Sequence, residues 1–306
     1  MFGQVTTNKK TALKTAPTAQ APAATLVDAN TDLRWIRGDQ KGKYVRVMVP
    51  KGPSGWVLAA DVKKVSAPDL SSIALEGQAQ PCVSPLTVNA CTTKKPTGCA
   101  AEGSAHGLVN QLKRTAPPEG KAVTLTFDTF SQLQSAAVDL VDEGVPIEPA
   151  DRDKIKSIAT TEGTVGEGSR VRLVAFLSEG SPHANTGESV NCNLKSEAKN
   201  DIHISVTETK DGSEFEGIVV EAIPQNRPAN WTSSNIEGLR GKVLLFEGGL
   251  FYDNMHFINR DENHPLSGQP KRFSLWEIHP IASVKVCKKA KVSQCDPDRA
   301  SDWKDF

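Results

Sequence analysis

The sequence predicts a mainly β fold with a few helices, of the α+β class. It reads as a small all-β barrel followed by a five-stranded barrel behind a helical preface. Three observations predict it. Residues 3–66 are short strand-like runs cut by Gly, Pro, Asp and Asn, the pattern of a small barrel with tight turns. Residues 104–141 hold two segments with apolar residues at helical spacing. From residue 165 onward come five runs with the two-residue alternation of strands, and a non-strand insertion separates the third from the fourth. At 306 residues the chain has room for two domains. We divide it into a front module (1–66), a linker (67–103), a main domain (104–290) and a tail (291–306).

The strands of the front module are "LRWIRG", "YVRVMV" and "GWVLAADVKKV". The last run has Gly55, then Trp56-Val57, then Ala60-Asp61-Val62, and the opening reads "ALKTAPTAQAPAATL". In these features residues 1–66 resemble a bacterial SH3-like domain, with Lys14 where that family commonly has Arg. The resemblance implies an SH3-like barrel that binds cell-wall peptide or acts as a spacer. Trp35, Tyr44 and Trp56 are candidates to line a ligand groove; the alternative is that they fill the small core, as aromatics readily do. The module carries eight Lys, three Arg, four Asp and no Glu, a balance of +7, so the rest of the neutral chain carries −7. A basic module on an acidic body suits an anionic polymer, such as a cell-wall polymer or nucleic acid; a solvated lysine-rich surface explains it equally well.

Residues 67–103 are rich in Ser, Pro, Thr, Gly and Ala, a linker composition. "SAHGLVNQLKR" then places Ala105, Leu108, Val109 and Leu112 on one helical face, "AVTLTF" reads as a strand, and "SQLQSAAVDLV" reads as a helix capped by Thr129 or Asp128. His106 near the first helix start is assigned a structural role, and His183 and His264 are placed in solvated polar loops.

The five later strands are "SRVRLVAFL", "DIHISVTET", "GIVVEAIP", "KVLLFEGGLFYD" and "RFSLWEIHPIASVKVC". Val171, Leu173, Ala175 and Leu177 share one face of the first, and Ile202, Ile204 and Val206 share one face of the second. Pro224 ends the third, and Gly248-Gly249 marks a bulge in the fourth. Three strands, an insertion and two strands is the order of an OB barrel; a β-sandwich needs more strands. Residues 104–287 also resemble a group of mostly secreted bacterial proteins with an OB-like strand pattern, through "HGLVNQLKR", "DIHISV", "VVEAIP", "LFYDNMHF" and "SLWEIHPI". That resemblance implies fold and compartment, and carries no activity.

Six cysteines occur: Cys82, Cys91, Cys99, Cys192, Cys287 and Cys295. An even number and no C-x-x-C pair favour disulfides over a metal site. Three lie in 82–99 and three in 192–295, so complete pairing needs at least one bridge between the groups. The start "MFGQVTTNKK" has no apolar signal core, which leaves a cytosolic chain or a mature periplasmic or extracellular one with an added Met1. The cysteines favour the second. No run reaches the length of a membrane span.

Three short motifs carry the candidate chemistry: Asp201-x-His203, Asp253-x-x-His256 and Glu277-x-His279, with Glu221 in the third strand. Residues i and i+2 of a strand share a face, so each x-separated pair points together. Imidazole and carboxylate together suit Zn²⁺ or Mn²⁺, with His203, His256 and His279 as candidate ligands. Such a metal would activate water for phosphodiester or related hydrolysis. The competing reading is a set of His–carboxylate hydrogen bonds that pin strand ends, because a buried carboxylate must be paired. No nucleophile elbow, phosphate loop or dinucleotide fingerprint is present. Nucleic-acid binding wants a basic groove; the acidic second half disfavours it, although Arg170, Arg172, Arg227, Arg240 and Lys242 are candidates for a local patch. The leading expectation is an envelope-associated binding protein, anchored by its front module, with a protein or other ligand on the second barrel. The alternative is a metal-dependent hydrolase.

Overall fold

A computed structural model describes residues 2–49, 54–64, 87–141, 147–184, 187–260, 262, 265 and 269–306. Among these, the first sheet has seven antiparallel strands: β1 (Phe2–Thr7), β2 (Thr11–Lys14), β3 (Ala23–Val27), β4 (Asp32–Lys41), β5 (Tyr44–Met48), β6 (Ser54–Leu58) and β7 (Val62–Lys64). Their order is β3-β2-β6-β5-β4-β1-β7. Alternate residues Val5, Leu13, Val27, Leu33, Val45, Val47 and Val57 turn inward to one core, as the two-residue period requires.

The second half of the expected linker is structured. Helix α1 (Val88–Lys94) is capped by the Thr87 hydroxyl, which accepts from Ala90 N. Cys91 on α1 is bonded to Cys192 across 101 residues of sequence, which ties α1 to the main body and bridges the two cysteine groups. Cys287 pairs with Cys295, and no described cysteine is free; Cys82 and His264 lie outside the described residues. Helix α2 (Ala105–Leu112) follows a Ser104 cap, then comes β8 (Val123–Leu125) and helix α3 (Phe127–Leu140). The cap of α3 is Thr126, not Thr129 or Asp128: the Thr126 hydroxyl accepts from Thr129 N, and Thr126 N donates back to the Thr129 hydroxyl. The helix starts early because Phe127 and Phe130 already lie on its buried face.

A short helix α4 (Pro149–Arg152) and a hairpin of β9 (Ile158–Thr160) with β10 (Gly163–Val165) lead into the main sheet. Its strands are β11 (Arg170–Leu177), β12 (Ile202–Thr207), β13 (Ile218–Ala222), β14 (Leu244–Tyr252) and β15 (Trp276–Cys287), with helix α5 (Ser233–Glu237) between β13 and β14. The order β12-β13-β15-β14-β11 closes through β11–β12, and only the β13–β15 pair within this ring is parallel. This is a closed five-stranded barrel with the OB strand order. β8 lies parallel beside β11, and β16 (Trp303–Asp305) lies antiparallel beside β15.

The barrel interior holds Val171, Leu173, Ala175, Leu177, Ile202, Ile204, Val206, Ile218, Val220, Ala222 and Ile278 in one buried cluster. Each Val, Leu or Ile among them contributes about 1.5–3 kcal/mol by leaving water. The last strand is shorter at its front than its alternation suggested. Residues 272–275 precede it, with Arg272 bridged to Asn259 and Leu275 N donating to the buried Gln134 carbonyl oxygen on α3. The irregularity falls opposite Gly248-Gly249 rather than on them: Leu250 faces Ile278 and Gly248 faces Ile281, so a two-residue step of β14 spans a three-residue step of β15, which is the bulged strand.

Candidate functional site

Strand alternation decides what the outside of the barrel carries. Ile202 and Ile204 point inward, so His203 points outward; Val220 and Ala222 point inward, so Glu221 points outward; Ile278 points inward, so Glu277 and His279 point outward. The β12–β13 register sets His203 directly against Glu221, and the β13–β15 register sets Val220 against Ile278. Three adjacent strands therefore bring His203, Glu221 and His279 side by side. The bulge at 279–280 then restores Ile281 to the interior while His279 stays outside. Helix α2, the turn at 189–191 and the 253–272 segment supply the partners that cover this face.

Among the described residues the buried groups form a closed ring of alternating charge. Glu188 lies 2.8 Å from His203 Nε2, which lies 3.3 Å from Glu221. Glu221 lies 3.1 Å from His279 Nδ1, which lies 3.3 Å from Glu277. Glu277 accepts from Arg272, whose guanidinium lies 3.6 Å from Asp253. Lys113 Nζ closes the ring, 3.5 Å from Asp253 and 3.6 Å from Glu188. Asp201 joins from the side, 3.7 Å from His279 Nε2, with Asn191 donating to its other oxygen. His256 joins through Asp253 at 3.4 Å, and its Nδ1 lies 3.2 Å from the Gln269 carbonyl oxygen.

The ring perturbs its members in opposite directions. Burial works against charge on His203, but the Glu221 and Glu188 carboxylates push it up to about 10. Burial pushes Glu221 up to about 7 in spite of its two histidines. Burial and Glu188 raise Asp201. Against burial, Lys113, His256 and Arg272 hold Asp253 well below the usual carboxylate range, and Arg272 holds Glu277 down. Burial lowers His256. His279 rises against burial because Glu221 and Glu277 face it, and Lys113 keeps its charge because Asp253 and Glu188 outweigh its burial.

One side of the ring opens into a cleft of about 630 Å³. Glu188, His203, His256 and Lys113 line it, together with His106, His183 and Lys271. Two sets of three could each hold a metal ion, with one ligand atom per residue and all three atoms within 4.8 Å of one another. One is Glu188, His203 and Glu221; the other is Asp201, Glu221 and His279. His256 belongs to neither set. Asp201 and His203 point the same way, as i and i+2 must, but each finds its partner on another strand.

Several expectations change here. His106 lines the cleft. His183 is exposed, as expected, but it is not without partners: its backbone makes two 2.8 Å hydrogen bonds with His203, and its Nε2 lies 2.6 Å from Glu214. The arginines considered for a basic patch are spent on internal partners. Arg170 binds Glu247, Arg172 binds Thr124 and Asp298, Arg227 binds the Asn200 and Ala222 carbonyls, and Arg240 binds the Ser178 and Ser181 carbonyls. In the first sheet Tyr44 is buried, and Trp56 is half-buried with Lys41 Nζ 6.0 Å from its ring; the Trp35 side chain lies outside the described residues.

Sequence reasoning missed Lys113, Glu188 and Arg272. Lys113 follows an ordinary amphipathic helix, Glu188 sits in a polar loop and Arg272 precedes a strand. Only the tertiary fold shows that all three face one ring. Comparison of the chain with protein-family models, with curated proteins and with solved structures finds no match.

Proposed function

We propose that this protein is a divalent-metal-dependent hydrolase of phosphate esters. The observation that carries the reading is the set Glu188, His203 and Glu221, of which Glu188 and His203 line the cleft and Glu221 lies buried behind them. One imidazole nitrogen and two carboxylates suit Zn²⁺ or Mn²⁺ and leave coordination positions toward the cleft. A metal there supplies a Lewis acid for a phosphoryl oxygen and an acidified water. Lys113 and Lys271 on the same cleft favour an anionic substrate. Hydrolysis consumes one water: its oxygen bonds to phosphorus, the ester P–O bond breaks with its electron pair to the leaving oxygen, and the water proton leaves to solvent. The two described disulfides fit an oxidising compartment, and we place the enzyme in the periplasm or outside the cell.

Metal analysis of protein purified without chelator tests the reading. Bound Zn²⁺ or Mn²⁺, hydrolysis of bis(p-nitrophenyl) phosphate, and loss of that hydrolysis in Glu188→Gln are the expected results. Protein that neither binds these ions nor gains thermal stability from them sinks the proposal.

A second reading concerns the first sheet alone. Its +7 balance and the half-buried Trp56 beside Lys41 favour attachment to an anionic polymer such as the cell wall. Co-sedimentation with purified cell wall tests it, and unchanged pelleting at low and high salt in its absence and presence counts against it.

A further inference from the structure

We infer that the site holds two divalent cations bridged by Glu221, the second held by Asp201 and His279. This rests on the hydrolase reading and specifies its centre. Five observations lead to it. Glu221 is the residue common to both candidate ligand sets. Its two oxygens face opposite ways: Oε1 lies 3.3 Å from His203 Nε2 and Oε2 lies 3.1 Å from His279 Nδ1. It sits on β13, between the strands that carry the two histidines, so a carboxylate there reaches both sets.

The second set has ion-pair neighbours but is short of hydrogen bonds. Asp201 Oδ2, Glu221 Oε2 and His279 Nε2 are all buried, and none makes a hydrogen bond. All three residues are at most 2% exposed. Buried polar atoms are ordinarily satisfied, and three such ligand atoms, from β13, β15 and the residue before β12, favour a cation among them.

Charge gives the same answer. Five carboxylates (Asp201, Glu188, Glu221, Asp253 and Glu277) lie among the permanent cations Lys113 and Arg272, and Arg114 and Arg227 also act on Asp201. With neutral imidazoles the carboxylates still outnumber these cations by one in a desolvated place, and protons on His203 and His279, or cations in their stead, balance the cluster. Neutral histidine and ionised carboxylate are the forms that ligate metals. Paired cations held about 3.5–4 Å apart by shared carboxylates clamp the attacking and leaving oxygens of an in-line phosphoryl displacement, so the substrate class is a phosphate ester small enough for the cleft.

Titration of the full chain with Mn²⁺ alone tests this, read by calorimetric stoichiometry and by electron paramagnetic resonance. The expected result is two equivalents per chain with an exchange-coupled spectrum. Asp201→Asn and His279→Gln are each expected to fall to one equivalent with an isolated-ion spectrum, and Glu188→Gln to retain the second set. Wild-type protein with one equivalent and an isolated-ion spectrum overturns the two-cation inference and leaves the hydrolase reading standing. No binding at all overturns both. The wild-type measurement decides even if a buried variant fails to fold.

Discussion

Replacing Gly248 by alanine should break the geometry that separates the barrel interior from the charged ring. A Cβ at this position would lie 2.3 Å from the Pro280 carbonyl oxygen, 2.7 Å from Ile278 Cγ2 and 2.8 Å from Ile281 Cα. Ordinary carbon contacts fall near 3.5–4.0 Å, so β15 must retreat by about 1 Å at its bulge. Two of the three obstructing atoms are backbone, and a strand paired on both sides cannot swing away as a side chain does. Overpacking of this kind costs about 1–3 kcal/mol, and backbone obstruction belongs at the upper end. Loss of glycine's freedom in the unfolded chain returns at most about 1 kcal/mol. The net is about 2–3 kcal/mol, which at about 2–4 °C per kcal/mol for a domain of this size lowers Tm by about 4–12 °C. Circular dichroism melts of Gly248→Ala beside Gly249→Ala make the assay. The neighbour is the control, because its nearest obstruction is the His279 carbonyl oxygen at 3.3 Å. Equal melting of the two variants would refute the reasoning.

Removing both cysteines of the Cys91–Cys192 bridge should cost about 4–5 kcal/mol from the long loop it closes, against about 2–3 kcal/mol for Cys287–Cys295, which spans 8 residues; urea titration of the two double Ser variants reads the difference. Arg272→Leu alone should destabilise by about 3–5 kcal/mol by stranding Glu277, whereas Arg272→Leu with Glu277→Leu should recover most of that loss, since an apolar pair replaces a buried ion pair at little cost. Against its burial, Glu214 is held below its usual value by His183 and Lys271. A depressed carboxylate stabilises above its unfolded value and loses that contribution as pH falls through its lower folded value, so the melting difference between wild type and Glu214→Gln should be present at pH 7, begin to shrink near the ordinary glutamate value of about 4.3, and vanish only at more acid pH. Trp56→Ala should weaken cell-wall pelleting and leave phosphate-ester hydrolysis intact, a separation that co-sedimentation and kinetics on one preparation can check.

The barrel was legible because its signals are local. Period-two runs such as Val171, Leu173, Ala175 and Leu177 need one buried face, and the insertion between the third and fourth strands specifies the order. The glycine pair announced a close backbone approach for the same reason, two residues without Cβ in an apolar strand, although the bulge itself lies on the facing strand. The Asp/His and Glu/His motifs were visible as well, but their pairing was not. Asp201 and His203 share a face, yet Asp201 reaches His279 and His203 reaches Glu188 and Glu221. Those partners are set by inter-strand register, which no stretch of sequence displays. Lys113 was hidden for a different reason. A lysine after a helix end is ordinarily solvated, and only the docking of α2 over the outer face puts it beside Asp253.

Stability gives the ring no account of itself. A buried ion pair is about neutral against an apolar pair of the same volume, and each broken link is costly. Apolar residues at 203, 221, 277 and 279 would continue the surrounding strands, whose neighbours Ile202, Val220 and Ile278 are already fully buried. The ring instead places carboxylates on both sides of two imidazoles and leaves Asp201 Oδ2 and His279 Nε2 without hydrogen-bond partners. A purely structural network would close those last atoms, because an orphaned buried polar group costs about 1–3 kcal/mol. The orphaned atoms stand where cations would be ligated, and the same ring reaches solvent through Glu188 and His203 at the cleft wall. Open on one side and short of hydrogen bonds on the other, the network is arranged as the proposed metal centre requires.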